Sequence, residues 1–193
     1  MSGIFMPYAQ KSRGFMNQKS MEILGDFTQF YALQAGRLQK LGIDINGLEV
    51  SHLAFRTETL AEYFNVRQKL EAICSANVEN TWNGRPISKL LLQEPLQLSQ
   101  NATTSLIELI PPVHQSTYKM GLEHIGIVIG ESFADFGKSH AHKFSGQQDQ
   151  GEFCQPYFIT FPDHTNVKFY RYSLQKVCVL EGKHFDGFYH EIN

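Results

Sequence analysis

Two stretches of this chain open alike and close alike. SHLAF from Ser51 and EHIGI from Glu123 begin them, and SLIELI from Ser105 and NVKFYRY from Asn166 end them. A doubled order of elements constrains folding more than any single motif does, because each copy is one supersecondary unit that can bury its apolar face against its twin. In the first copy, VSHLAFRT alternates His52, Ala54 and Arg56 with Ser51, Leu53 and Phe55, the period of two expected of a half-buried strand. Thr57 is placed to cap a following helix, since Leu60, Phe64, Val66, Leu70 and Ile73 fall on roughly one face of ETLAEYFNVRQKLEAIC. An extended NVENTW, a turn at NGRP, the strand ISKLLLQ, a turn-rich EPLQLSQNATT and the strand SLIELI complete a βαβββ order. From Gly121 the order begins again: LEHIGIVIG reads as a strand, ESFADFGKSHAHKF as a short helix, and CQPYFITFP with NVKFYRYS as a hairpin around PDHT. The weak element is the second copy's strand two, somewhere in GQQDQGEFC.

The expected fold class is therefore α+β, with a first βαβββ module over 50–120 and a shortened second one over 121–174. Ahead of them, residues 21–49 form an N-terminal helical segment: Ile23, Phe27, Phe30, Tyr31, Leu33, Leu38 and Leu41 recur at three-to-four spacing until Gly42 supplies a stop. Residues 1–20 are polar and aperiodic and read as a flexible extension, and 175–193 as an aromatic, mixed-charge tail that docks on the body or frays.

Composition narrows the partners. A net charge of −2 with scattered Lys and Arg lacks the basic stripe that a nucleic-acid backbone or an anionic membrane surface attracts. Cys74, Cys154 and Cys178 are odd in number and form no CxxC, which speaks against a disulfide framework and for a reducing cytoplasm. No apolar run approaches the roughly 18–20 residues of a membrane span, and the first residues lack the apolar core of a secretory signal. The expected partner is a small molecule, and the chain a monomer or homodimer.

The strings SHLAFRTET, NGRPISKLLLQEPL, IELIPP, GLEHIGIVI and VKFYRYSL, in this order, resemble the YecM family of the vicinal oxygen chelate superfamily, which includes glyoxalases, extradiol dioxygenases, epimerases and antibiotic-modifying enzymes. The resemblance covers about Phe27 to Leu174 and implies two modules curling into one open, cup-shaped, barrel-like sheet whose floor carries a divalent metal. It places metal ligands at His52 (strand one, first module), Glu108 (strand four, first module) and His124 (strand one, second module). The fourth ligand position falls on Lys168, where the superfamily pattern has Glu; an ammonium donates hydrogen bonds and does not bind a cation.

Two imidazoles and a carboxylate suit Zn, Fe, Mn, Ni or Co with positions left open for water or substrate. Lys168 is then a candidate catalytic residue, stabilising an oxyanion or acting as a base. Glu108 lies among Leu106, Ile107, Leu109 and Ile110, where an unpaired carboxylate would cost several kcal/mol. Its counter-charge is either a metal or, with no metal, Lys168. Arg56 shares the strand face of His52 and Arg85 sits at the NGRP turn; each is either a substrate clamp or an ordinary ion-pairing residue. Tyr118, in the HQSTYK linker, either roofs the cup or covers the core edge. His140 and His142 point apart at i and i+2 on a helix and are not joint ligands. Two functions follow: a metal-dependent lyase, isomerase or oxygenase on a small oxygen-rich substrate, or a non-catalytic small-molecule-binding module without metal.

Overall fold

The computed structural model describes residues 18–112 and 119–192. Helix α1 occupies residues 18–24, and α2 (Phe27–Lys40) starts at Asp26, whose carboxylate accepts the Gln29 N–H at 2.9 Å. Phe27, Tyr31, Gln34 and Leu38 form the buried stripe of α2, and Gly42 at φ 68° turns the chain out of it in the left-handed region that glycine adopts freely.

The first module follows as β1 (Val50–Arg56), α3 (Leu60–Glu71), β2 (Cys74–Trp82), β3 (Arg85–Gln97) and β4 (Thr103–Ile110). The second is β5 (Gly121–Val128), α4 (Phe133–His140), β6 (Gly146–Gln147), β7 (Tyr157–Thr160) and β8 (Asn166–Tyr170). Then come α5 (Leu174–Leu180) and β9 (Phe188–Tyr189). One nine-stranded mixed sheet runs in the order β6-β7-β8-β5-β1-β4-β3-β2-β9. Among the described residues its end strands do not pair, so the fold is α+β with an open sheet. Within each module the first and fourth strands are parallel neighbours, β1 with β4 and β5 with β8, and the modules join where β1 meets β5 antiparallel.

One sheet face is apolar. Leu53, Phe55, Ile107, Leu109, Ile125, Ile127, Val167 and Phe169 are buried in a single cluster with Phe27 and Leu38 of α2 and Tyr63 and Leu70 of α3. Because strand side chains alternate, that arrangement delivers the residues between them to the opposite, concave face.

Two local details differ from the expected ones. The N-cap of α3 is Thr59, not Thr57: its hydroxyl accepts the Glu62 N–H and the Glu62 carboxylate accepts the Thr59 N–H, a closed capping box. Thr57 instead extends the β1–β4 pairing, donating its N–H to the Ile110 carbonyl at 3.0 Å. EPLQ is strand rather than turn, since β3 continues through it with a register shift between Leu91 and Leu96 that accommodates Pro95, which has no N–H to give the ladder. The tail holds α5 and β9, and β9 pairs parallel with β2 along the sheet edge. Among the described residues no helix is long and apolar enough to cross a membrane.

Candidate metal centre

Strand register alone brings the candidate ligands together. One row across the concave face runs Lys89 (β3), Glu108 (β4), Ala54 (β1), His124 (β5) and Asn166 (β8). The next runs His52 (β1), Gly126 (β5), Lys168 (β8) and Phe158 (β7). Small residues occupy the gaps between the long ones. Gly126 is needed where it stands, because a Cβ there would lie 2.4 Å from His52 Cε1 and 2.6 Å from its Nδ1.

In each module the residue two places after the histidine pairs with the fourth strand, Ala54 with Glu108 and Gly126 with Lys168. Lys168 thus stands in the second module where Glu108 stands in the first.

The histidine Nε2 atoms are 3.2 Å apart, His124 Nε2 is 3.1 Å from Glu108 Oε2, and His52 Nε2 is 3.7 Å from the same oxygen. Both imidazoles are fully buried, and the Glu108 side chain is 13% exposed. Ligands bound at about 2.0–2.1 Å in tetrahedral geometry stand about 3.3–3.4 Å apart, so these three atoms already have the spacing of one triangular face around an ion.

The tautomer that ligation requires is available at both rings, and two β-bulges supply it. In the β1–β5 pairing Ser51 is the extra residue on β1 and Glu123 the extra residue on β5. A bulge re-aims side chains out of strict alternation. Each bulged residue turns to the imidazole that follows it: Glu123 Oε1 lies 3.3 Å from His124 Nδ1, and Ser51 Oγ lies 2.9 Å from His52 Nδ1. Ser51 Oγ also accepts the Leu174 N–H at 2.7 Å, and Glu123 is anchored by Arg56 through its Nε. With Nδ1–H donated outward, both Nε2 lone pairs and a carboxylate lone pair face one another. That convergence is repulsive unless a proton or a cation lies among them.

Burial pushes the His52 imidazole down to about 3 and that of His124 to about 4, so both are neutral, as ligands must be. Burial would raise the Glu108 carboxyl, but the neighbouring His124, His52 and Lys168 hold it well below its ordinary value, ionised. Burial lowers Lys89 and Lys168 while Glu108 opposes it.

The remaining expected residues fall as follows. Lys168 lines the cavity above the centre together with Arg56, Arg85 and Glu108, but among the described residues it makes no ion pair within 4.0 Å, so Glu108 contacts the histidines rather than Lys168. Arg56 braces Glu123 and donates to the Pro111 carbonyl at 3.2 Å. Arg85 donates to the same carbonyl at 3.4 Å, and its guanidinium stands 5.9 Å from the Trp82 ring centroid. Tyr118 lies outside the described residues. His140 donates from Nδ1 to the Phe136 carbonyl of its own helix at 3.0 Å.

Five contributors were not singled out by sequence reasoning. Ser51 and Glu123 escape a strict period of two because of the bulges. Lys89, whose ammonium donates to Asn80 Oδ1 and to the Ile87 carbonyl at 3.3 Å, is 6% exposed and cross-strand from Glu108; its signal was a lone cation in the apolar run ISKLLLQ. Gly126 in the interior of a strand is itself a sign of close approach. Tyr170 packs its ring edge-on to His52 at 5.4 Å between centroids and closes the back of the site.

Comparison with known proteins agrees with the pattern. The YecM protein family model matches residues 19–181. Protein YecM of Escherichia coli (strain K12) is 31% identical over 108 residues, 56% of this chain and 57% of that protein, so the match spans a little over half of that relative's length. A solved structure described as Structural Genomics protein EC4020 shares 24% identity and superposes with a TM-score of 0.66 over 84% of this chain and 93% of that one, the same fold. The 2,2',3-trihydroxybiphenyl 1,2-dioxygenase of dibenzofuran-degrading Sphingomonas wittichii strain RW1 shares 14% identity at a TM-score of 0.38, covering 64% of this chain and 40% of that one, a likeness too distant to bear on chemistry.

Proposed function

The chain belongs to the YecM family, and from that premise we propose that it is a cytoplasmic divalent-metal-binding protein of the vicinal oxygen chelate type, acting as a lyase, isomerase or oxygenase on a small oxygen-rich substrate. The observation that carries this reading is the convergence of His52 Nε2, His124 Nε2 and Glu108 Oε2 within 3.7 Å of one another, in a buried site whose imidazoles are neutral. A divalent ion of Zn, Fe, Mn, Ni or Co type would supply Lewis-acid polarisation of a substrate oxygen and acidify a bound water.

The chain's own residues do the rest. Ser51 and Glu123 fix the rings by holding Nδ1, so that both Nε2 atoms stay aimed at one point. Lys168 projects into the same cavity and donates to negative charge developing on a substrate oxygen. Trp82, Ile87 and Ile110 form an apolar wall that keeps the local dielectric low and strengthens that interaction. Three buried free cysteines suit a reducing compartment.

One observation favours the second reading, a binding module with no metal. Lys168 and Lys89 flank Glu108 by register and field, so its charge has cationic company without an ion.

Metal analysis separates the two. Untagged protein reconstituted with Zn(II) or Mn(II) and freed of excess should hold about one ion per chain, lost in His52→Ala and in Glu108→Ala. Less than about a tenth of an equivalent for every ion tried would refute the metal reading.

A further inference from the structure

The cavity above the three ligand atoms carries an imbalance of charge that points to its occupant. Arg56 and Glu123 face each other and cancel. Lys89 is held by the neutral oxygens of Asn80 and Ile87, and Lys168 has no hydrogen bond or ion pair among the described residues. Around the cavity Arg56, Arg85 and Lys168 stand against the carboxylates of Glu108 and Glu123, which leaves one positive charge, and a divalent ion would raise this to three. A low-dielectric pocket does not hold such an excess unanswered.

The space is small, about 130 Å³, and its walls include Trp82, Ile87 and Ile110 beside the polar Gln148, Asn166 and Lys168. Drug-sized ligands occupy pockets of roughly 300–1,000 Å³, so only a short carbon skeleton fits here. Lys168 is aimed at this space from the position where its counterpart Glu108 serves as a ligand, one strand pair from Gly126 and His52.

Resting on the metal reading above, we propose that the cup selects a small oxyacid dianion, a dicarboxylate or a phosphoryl-bearing acid, and that Lys168 is the residue that selects its charge. One anionic oxygen of the ligand takes the ammonium of Lys168 as its hydrogen-bond donor, and the second anionic group balances the cation at the histidines. The apolar wall takes the carbon chain between them.

The test titrates three probes into the full-length chain by calorimetry: inorganic phosphate, malonate and the neutral malonamide. Malonate or phosphate should bind about ten- to a hundredfold more tightly than malonamide, and Lys168→Met should lose that advantage while keeping its metal content. Phosphate binding without malonate assigns the phosphoryl source, and the converse assigns the dicarboxylate. Malonamide binding as tightly as malonate, neither anion binding at millimolar concentration, or Lys168→Met binding the anions undiminished overturns the proposal. Metal content measured on the same samples keeps the two readings apart. An ion present without anion preference sinks only this inference, whereas an anion preference that depends on Lys168 in a chain that takes up no metal sinks only the metal reading. Should Lys168→Met fail to melt cooperatively, Lys168→Gln carries the comparison, and the preference of the unaltered chain for anion over amide decides alone.

Discussion

Gly126→Ala isolates the geometry of the centre better than removal of a ligand does. The backbone at Gly126 is outside the left-handed region, so alanine brings no main-chain strain, only a methyl group. That methyl would sit 2.4 Å from His52 Cε1, 2.6 Å from Nδ1 and 3.1 Å from Nε2. Ordinary carbon contacts are about 3.5–4.0 Å, so the ring must withdraw by about 1 Å. It has little room to do so, with Ser51 2.9 Å from Nδ1 and the rings of His124 and Tyr170 centred 5.3 and 5.4 Å away. Overpacking of this kind costs about 1–3 kcal/mol of metal-free stability. The displaced imidazole should weaken metal binding by about a hundredfold, the upper end of what disturbing ligand orientation costs. At a metal concentration about a thousand times the wild-type Kd, binding adds about 4 kcal/mol to wild-type stability and only about 1.4 kcal/mol to the variant. For a chain of this size each kcal/mol moves Tm by about 2–4 °C. Thermal melts with and without Zn(II) should therefore show a metal-induced rise of about 8–16 °C in the wild type and about 3–6 °C in Gly126→Ala. Gly36→Ala is the control, since nothing lies within 4 Å of its added Cβ, and it should keep the full rise. A full metal-induced rise in Gly126→Ala would refute the placement of His52 at the centre.

Two further outcomes test the supports. Glu123→Gln keeps the shape of the bulged residue but removes the charge that holds His124 Nδ1 and Arg56; chelator competition should show metal affinity falling about ten- to a hundredfold with the fold intact. Glu79 accepts from Tyr63 at 2.6 Å, Arg67 at 2.7 Å and Ser88 at 3.0 Å, and its other oxygen takes the N–H groups of Glu191 and Ile192 at 3.0 and 3.2 Å. Burial would raise this carboxyl, but those donors hold it below its ordinary 4.5, so its contribution is present above that value and is lost as pH falls through the lower folded one. Glu79→Gln should flatten the acid limb of stability below about pH 4.5, cost about 1–3 kcal/mol at neutral pH, and speed amide exchange along 188–192 in hydrogen-exchange measurements. An unchanged acid limb would mean that the tail is anchored elsewhere.

Much of this architecture is legible in the sequence because it rests on local periods. The alternation His52, Ala54, Arg56 against Leu53 and Phe55 predicts which side of β1 meets the helices, and the helical core cluster holds Leu53 and Phe55. The doubled strand order predicts two copies of one unit, and the structure has the same neighbours in each, β1 with β4 and β5 with β8. What escapes such reading is whatever breaks a period. Ser51 and Glu123 belong to the opposite face by counting, and only the paired bulges bring them beside the imidazoles. Pro95 suggests a chain break, whereas a register shift lets β3 pass through it. The edge strand β9 is two residues long and owes its place to Glu79 and Arg67, partners more than a hundred positions away, which no local signal encodes.

The two modules deliver equivalent backbone positions and fill them with opposite chemistry. The first offers a carboxylate ligand, Glu108, and braces its histidine with the neutral hydroxyl of Ser51; the second puts Lys168 at the ligand position and braces its histidine with the carboxylate of Glu123. The acid of the second module thus stands behind the imidazole rather than in front of it. A carboxylate behind an imidazole makes the ring a better donor, so on the proposed metal reading His124 would gain strength as a ligand while Lys168 would supply no fourth one. Structural metal sites close all positions with protein atoms, and sites that exchange ligands leave one open. An open position with an ammonium beside it, rather than an apolar plug, is organised for an incoming anion, and that is the physical reason to look for turnover or reversible binding in this cup rather than for a metal that merely holds the fold.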